Sequence, residues 1–176
     1  MKTLQILLGL LLISFANSSY SKIYYSKSEA LELAFGKNAT VESESLFPDE
    51  AQIEKIQQLA KVKLESGLFT FYVGKDKDKV LAYAAIESET VRTKPETIMI
   101  VLSPSGELTS VYLLAFHEPP EYEAPQRWFD ALIKKPITEL ELNKGVDGIS
   151  GATLSTRSAL NSVRKVMAFY EIMVKH

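Results

Sequence analysis

Residues 97–116, TIMIVLSPSGELTSVYLLAF, decide the fold, because they encode two strands and the turn that joins them. Thr97 to Leu102 is nearly all apolar, which is typical of a strand in the centre of a sheet. Ser103-Pro104-Ser105-Gly106 has proline at the second and glycine at the last position of a turn. Leu108 to Phe116 then predicts the next strand of the same sheet.

Two further strands are predicted before this hairpin. Leu68 to Val73 is rich in aromatic residues, Gly74 to Lys79 is a charged turn, and Val80 to Glu87 alternates between two faces. The four strands together predict a β-meander. Two helices are predicted to precede it, one from Ser28 to Gly36 and one over about residues 50–63.

Proline interrupts the chain after the meander, and three prolines exclude helix or inner strand over residues 117–125. Gln126 to Leu132 predicts a short helix, and Pro136 to Leu142 predicts an edge strand. A long helix with an apolar stripe is expected from about Ala152 to Val174. The prediction is one α+β domain over residues 22–176, an antiparallel meander packed with helices and ending in a long helix.

The N-terminus has the pattern of a secretory signal peptide, residues 1–21. Lys2 precedes an apolar run from Leu4 to Phe15, and cleavage fits after Ser18 or Ser21. The run is shorter than the roughly 20 residues that span a bilayer. We therefore expect export to the periplasm or cell exterior, with an uncleaved membrane anchor as the alternative.

Composition excludes several classes of function. The net charge of -2 gives no basic surface for nucleic acid. The sequence has no cysteine, which excludes disulfides, cysteine-ligated iron–sulfur clusters and c-type haem attachment. Two histidines are too few to indicate a zinc site, so we predict no metal centre. Any redox chemistry must come from an organic cofactor.

Residues 147–159, DGISGATLSTRSA, carry the chemistry that the sequence offers. Glycines at 148 and 151 allow sharp turns, and small residues stand where the long helix begins. A helix N-terminus offers unpaired N–H groups to a phosphate, and Arg157 could neutralise an anion. The simpler interpretation is that Ser150 or Thr153 caps the helix. A serine-nucleophile elbow fits less well, because the pattern is not Gly-x-Ser-x-Gly.

Asp147-Gly148-Ile149-Ser150-Gly151-Ala152-Thr153 resembles the flavinylation motif of the FMN-binding domain family, Asp-x-x-(Ser/Thr)-Gly-Ala-(Thr/Ser). That family includes components of the sodium-translocating NADH:quinone oxidoreductase and of the Rnf electron-transport complex. The continuation, residues 154–159, is also similar. The resemblance covers roughly Leu68 to Tyr170. In the family a His-x-Glu-Thr-Pro-Gly segment follows the sheet; here His117 and a proline are kept at a different spacing.

The resemblance implies that an FAD:protein FMN transferase attaches FMN to the hydroxyl of Thr153. The cofactor-binding residues that we predict are Thr153 with Asp147, Ser150, Gly151, Ala152, Leu154 and His117. Glu118, Tyr122 and Trp128 are further candidates for contact with the flavin ring, although Tyr122 and Trp128 could instead pack the core.

The functional prediction is an exported electron-transfer flavoprotein that works with a membrane or periplasmic redox donor and acceptor. We predict no catalytic residues, because no other catalytic constellation is present. Two alternatives stay open: a flavin-free exported binding or regulatory module, and a small flavin-dependent reductase.

Overall fold

The structure, a computed structural model, describes residues 21–175 and contains six strands and four α-helices in that range. The strands are β1 (Lys22–Ile23), β2 (Thr40–Leu46), β3 (Phe69–Asp76), β4 (Lys79–Thr90), β5 (Pro95–Leu102) and β6 (Leu108–Phe116). The helices are α1 (Lys27–Phe35), α2 (Glu50–Ala60), α3 (Gln126–Asp130) and α4 (Thr153–Met173), with 3₁₀ turns at Pro120–Tyr122 and Ile137–Glu139.

All strand pairs are antiparallel, and the sheet order is β1-β6-β5-β4-β3-β2. The predicted α+β class and the meander are therefore confirmed, with β5 in the interior of the sheet. The Ser103–Gly106 turn is also confirmed, and Gly106 has a φ of 85°. The charged turn is shorter than predicted, because β3 continues to Asp76 and the chain reverses at Lys77 and Asp78.

The sheet has two strands that the sequence did not predict. β2 pairs with β3 along its whole length, from Thr40 opposite Lys75 to Leu46 opposite Phe69. All of its residues except Leu46 are exposed, so it lacks the apolar face by which strands are usually found. β1 is only two residues long and pairs with the end of β6.

The predicted edge strand at Pro136–Leu142 is wrong. This segment contains the 3₁₀ turn at Ile137–Glu139 instead, and Leu140 inserts fully into the core. The carbonyl oxygen of Leu140 accepts a hydrogen bond from Arg164 Nη1 rather than from a neighbouring strand. A side-chain donor 24 positions away in the sequence thus takes the place of the ladder that the sequence suggested.

Two hydrophobic cores lie on opposite faces of the sheet. On one face α1 packs through Ala30 and Phe35 against residues such as Met99. The other, larger core holds α2, α3 and α4. There Phe169 of α4 stacks on Phe69 with 4.0 Å between ring centroids. This face carries the beginning of α4 and with it the motif at residues 147–153.

The predicted signal peptide, apart from Ser21, lies outside the described residues. Over residues 21–175 the structure has no helix of the length and apolar character needed to cross a membrane.

Candidate functional site

The loop that leads into α4 is held by contacts with two other segments. Trp128 Nε1 in α3 donates a hydrogen bond to the carbonyl oxygen of Asp147 at 2.8 Å. Gly151 has a φ of 87°, a backbone conformation that favours glycine, and a Cβ there would lie 3.6 Å from the carbonyl oxygen of Glu121. The turn closes with a bond from the N–H of Ala152 to the carbonyl oxygen of Ile149 at 3.0 Å.

The first turn of α4 has no side-chain cap. The capping prediction for Ser150 or Thr153 is therefore wrong, because Ala152 occupies the N-cap position. Thr153 is the first residue of α4, and its hydroxyl donates a hydrogen bond to the carbonyl oxygen of Ile149 at 3.3 Å. The N–H groups at the start of α4 are left for water or for an anion.

The four hydroxyls of this region differ sharply in accessibility. Thr153 and Ser150 are exposed, whereas Ser155 and Thr156 are both 0% exposed. Ser155 Oγ donates to the carbonyl oxygen of Tyr122 at 2.5 Å. Thr156 Oγ1 contacts the carbonyl oxygens of Ala152 and Thr153, both at 3.1 Å. An external reagent could therefore reach Thr153 and Ser150 but not the other two.

A cleft of about 560 Å³ opens beside Thr153, between α4 and the segment of residues 141–150. Its volume lies in the range of cofactor and small-ligand pockets. Thr153, Arg157, Leu160 and Arg164 line it from α4 at helical spacing. Two of these four side chains are cationic, so this wall of the cleft favours an anionic ligand.

Arg164 is a buried cation at the end of this cleft. Its guanidinium donates to the carbonyl oxygens of Ala60 and Leu140 and to Asn161 Oδ1, at 2.6–2.8 Å. No carboxylate of the described residues lies within ion-pair distance of it. Burial lowers the pKa of Arg164, and the negative charge of Glu141 acts in the opposite direction. Arginine nevertheless stays charged, so the cleft keeps a fixed positive group.

The other side of the loop faces a second hollow, of about 680 Å³, which Asp147, Ser150 and Trp128 help to line. Trp128 is only 6% exposed and packs edge to face on Phe129, with 5.2 Å between centroids. Its indole therefore acts mainly in packing and in holding the loop. The structure supports the core interpretation of Trp128 over contact with a flavin ring.

The predicted residues of the loop at 117–125 take different positions. Tyr122 lies next to the motif through its bond with Ser155, and the guanidinium of Arg92 lies 4.6 Å above its ring. His117 lies outside the linings of both clefts, and its Nδ1 lies 2.8 Å from Ser21 Oγ. Its predicted role in cofactor binding stays a prediction. Leu154 is 45% exposed at the start of α4.

Glu118 has a structural role that the sequence did not indicate. Its Oε1 accepts hydrogen bonds from the backbone N–H groups of Arg92, Thr93 and Lys94, at 3.2, 2.6 and 2.9 Å. Desolvation acts to raise the pKa of Glu118, but these hydrogen bonds outweigh it and the net pKa is lowered. Glu118 therefore fixes the β4–β5 turn to the loop and is an anchor rather than a free ligand.

Sequence interpretation missed Asn161 and Arg164 in the cleft, and Arg92 above Tyr122. The first two could have been found, because positions 153, 157, 161 and 164 recur on one side of a helix. Arg92 could not, because a turn residue 30 positions from Tyr122 gives no local signal. Among residues 21–175, no cluster of three or more histidine or acidic side chains could hold a metal ion.

Fold and site together define an α+β domain with a ligand-sized cleft at the uncapped start of its last helix. Residues 93–168 match the family model of the FMN-binding domain. The match begins in the β4–β5 turn, includes the loop at 117–125 and the motif at 147–153, and ends within α4. It leaves out β3 and β4, which the broader resemblance included. No curated protein matches the chain. This family match supports FMN as the cofactor.

Proposed function

We propose that this protein is an exported electron-transfer flavoprotein that carries FMN through a phosphoester bond to Thr153. One observation carries the proposal: Thr153 presents an exposed hydroxyl at the uncapped N-terminus of α4, within the part of the chain that matches the FMN-binding domain. Ser155 and Thr156, the next two hydroxyl-bearing residues after Thr153, are buried and hydrogen-bonded.

The hydroxyl oxygen of Thr153 is suited to attack a phosphorus atom. In the attachment step Thr153 Oγ1 bonds to the FMN phosphorus of FAD, the phosphoanhydride bond to AMP breaks, and the hydroxyl proton passes to a base of the transferase. The bond from Oγ1 to the Ile149 carbonyl is long, at 3.3 Å, so it offers little resistance to rotation of the hydroxyl. The exposed loop before Thr153 leaves room for the transferase to enclose it.

The residues around Thr153 also fit the product. A phosphodiester keeps one negative charge, which the positive end of α4 stabilises by roughly 0.3–1 kcal/mol. Arg157 lies one turn along the same side of α4 and lines the same cleft. The covalent bond, rather than these weak interactions, keeps the cofactor on the protein. When bound, the flavin supplies the redox chemistry, and the protein orients it and sets its electrostatic environment.

The partners follow from this proposal. An FAD:protein FMN transferase must act in the compartment where the folded domain is found. A membrane or periplasmic donor supplies the electrons and a second redox partner removes them. The signal-peptide pattern at residues 1–21 supports the periplasm or cell exterior as the place where this happens.

The test is to co-express residues 22–176 with an FAD:protein FMN transferase and to measure the intact mass. We expect a gain of one FMN minus one water, and we expect Thr153→Ala to abolish it. Ser150→Ala is the matched control, because it removes the other exposed hydroxyl of the motif, and it should keep the full gain.

Retention of the gain in Thr153→Ala would show that another hydroxyl is the acceptor. An unmodified wild-type mass from a host with an active transferase would overturn the proposal and favour a flavin-free module. Substrate turnover by the loaded protein without a redox partner would instead favour a small reductase.

A further inference from the structure

Glu96 is a buried carboxyl group with no hydrogen-bond partner in the part of the chain that the structure describes. It is the second residue of β5 and is 2% exposed, and neither of its carboxyl oxygens is hydrogen-bonded. In the sheet it lies opposite Glu89 of β4 and Phe116 of β6. Residues directly opposite each other on neighbouring strands have their side chains on the same face of the sheet. Glu89 pairs with Lys165 of α4, so the side chains of both Glu89 and Glu96 are on the face that α4 covers.

This carboxyl has no evident structural purpose. A buried polar group without a partner is unfavourable, and an apolar side chain at the same place would stabilise the fold more. Other buried polar groups nearby do hold the structure together, as Glu118 does for the β4–β5 turn. A group that is unfavourable for stability and makes no bond is a candidate for a functional role.

The charged groups around Glu96 do not neutralise it. Glu123, in the loop over the sheet, adds negative charge to its surroundings and is itself bonded to the hydroxyl of Tyr24. Lys165, the cation of α4 that faces this part of the sheet, is already paired with Glu87 and Glu89. Four other ionisable groups near this end of the sheet have partners of their own: His117 contacts Ser21, Glu118 the N–H groups of residues 92–94, Lys22 the ring of Tyr24, and Arg92 the ring of Tyr122.

Burial and, second, the charge of Glu123 raise the pKa of Glu96 to about 8. Glu96 therefore holds a proton at neutral pH and releases it only in mildly alkaline solution. Small changes in the charge nearby would change its proton occupancy within this pH range.

A short chain of contacts joins Glu96 to the proposed flavin site. Glu123 follows Tyr122, and the carbonyl oxygen of Tyr122 accepts the hydrogen bond from Ser155, two residues after Thr153. A hollow of about 240 Å³ lies beside this connection and is lined in part by Phe116 and Glu123. Phe116 lies opposite Glu96 in the sheet, so water in this hollow is one strand away from the covered carboxyl.

Resting on the proposed function, we infer that Glu96 is a redox-linked proton site. Above pH of about 8 Glu96 is ionised in the oxidised protein. When an external reductant then adds electrons to a flavin on Thr153, the added negative charge favours the protonated form of Glu96, which takes a proton from water. Reoxidation by the electron acceptor removes that charge, and the proton returns to water. Glu96 acts on the flavin through its charge and does not contact the reacting atoms.

The experiment is a titration of FMN-loaded protein with dithionite and redox mediators at pH values from about 6 to 10. Intact mass first confirms the loading. In the wild type the midpoint potential should fall more steeply with pH above about 8, where reduction takes up the additional proton. Glu96→Gln should lose this additional slope. Glu44→Gln, the same change at an exposed site on edge strand β2, should keep it.

Two further measurements decide the matter if Glu96→Gln folds poorly. Glu123→Gln removes the nearby negative charge, so the onset of the additional slope should move to lower pH. Infrared difference spectra between the reduced and oxidised protein should contain a protonated carboxyl band above the pH of onset. Equal potential profiles in mass-confirmed wild type and Glu96→Gln, or an unmoved onset in Glu123→Gln, would overturn the inference. A failure of the proposed function would instead be seen as an unmodified mass.

Discussion

The indole Nε1 of Trp128 and the carbonyl oxygen of Asp147 form a hydrogen bond of 2.8 Å that joins α3 to the first residue of the motif. The two residues are 19 positions apart, so the bond fixes the loop from outside its own sequence. The acceptor hydroxyl of Thr153 is thus presented by a loop that is exposed but anchored.

Trp128→Phe should loosen this loop while it keeps an aromatic ring in the core. We expect a loss of about 1 kcal/mol in the free energy of unfolding, since one buried hydrogen bond is lost and the ring becomes smaller. Amide hydrogen exchange should accelerate at Gly148–Gly151 more than in β5. Uniform acceleration over both segments would contradict the anchoring role, because it would indicate only a global loss of stability.

Thr153→Ala and Ser155→Ala should separate loading from stability. Thr153 is exposed and is not the cap of α4, so its replacement should change the free energy of unfolding by less than about 0.5 kcal/mol. Ser155→Ala leaves the carbonyl oxygen of Tyr122 without its donor and should cost about 1–2 kcal/mol. Chemical denaturation measures both. A Thr153→Ala variant less stable than Ser155→Ala would show that the exposed hydroxyl has a structural role.

Glu118→Ala should destabilise the β4–β5 turn, because three backbone N–H groups lose one common acceptor. We expect a loss of about 3 kcal/mol and a lower melting temperature. Glu121→Ala, an exposed acid in the same loop, is the control and should change little. Similar melting temperatures for the two variants would rule out the anchoring role of Glu118.

Glu96 makes stability depend on pH in a predictable direction. Folding raises the pKa of Glu96 from 4.5 to about 8, so below pH 4.5 the group is protonated in both the folded and the unfolded state and does not lower the free energy of unfolding. The contribution of its protonated form to stability is lost as pH rises from 4.5 through 8. By pH 7 this loss is about 3 kcal/mol. Glu96→Gln should therefore gain stability relative to wild type as pH rises, in thermal melts of protein without flavin. A difference in melting temperature between the two proteins that stays constant from pH 4.5 to about 8 would contradict the buried, protonated state of Glu96.

The meander could be predicted because each strand has its own apolar or alternating pattern and ends in a recognisable turn. β5 is apolar from Ile98 to Leu102, and Pro104 and Gly106 mark the turn after it. β2 gave no such signal: as an exposed edge strand its polar side chains never enter the core. Its position depends on the ladder with β3, which is a long-range interaction.

The candidate site could be predicted only in part for a similar reason. The motif at 147–153 is local, and its sequence alone points to a helix N-terminus with small residues. Which hydroxyl near the start of α4 is exposed depends on contacts outside the motif. Ser155, for example, is hydrogen-bonded to the carbonyl oxygen of Tyr122, 33 positions away. Arg164 likewise has acceptors in Ala60 and Leu140, which no local pattern connects.

The placement of α1 on the face of the sheet opposite α4 has a practical consequence for electrochemistry. The sequence contains no cysteine, so one introduced at Leu33, which is 47% exposed on α1, would be the only thiol in the protein. Coupling through that thiol would immobilise every molecule on an electrode in one orientation. The cleft beside Thr153 would then face the solution, where soluble redox proteins could reach it.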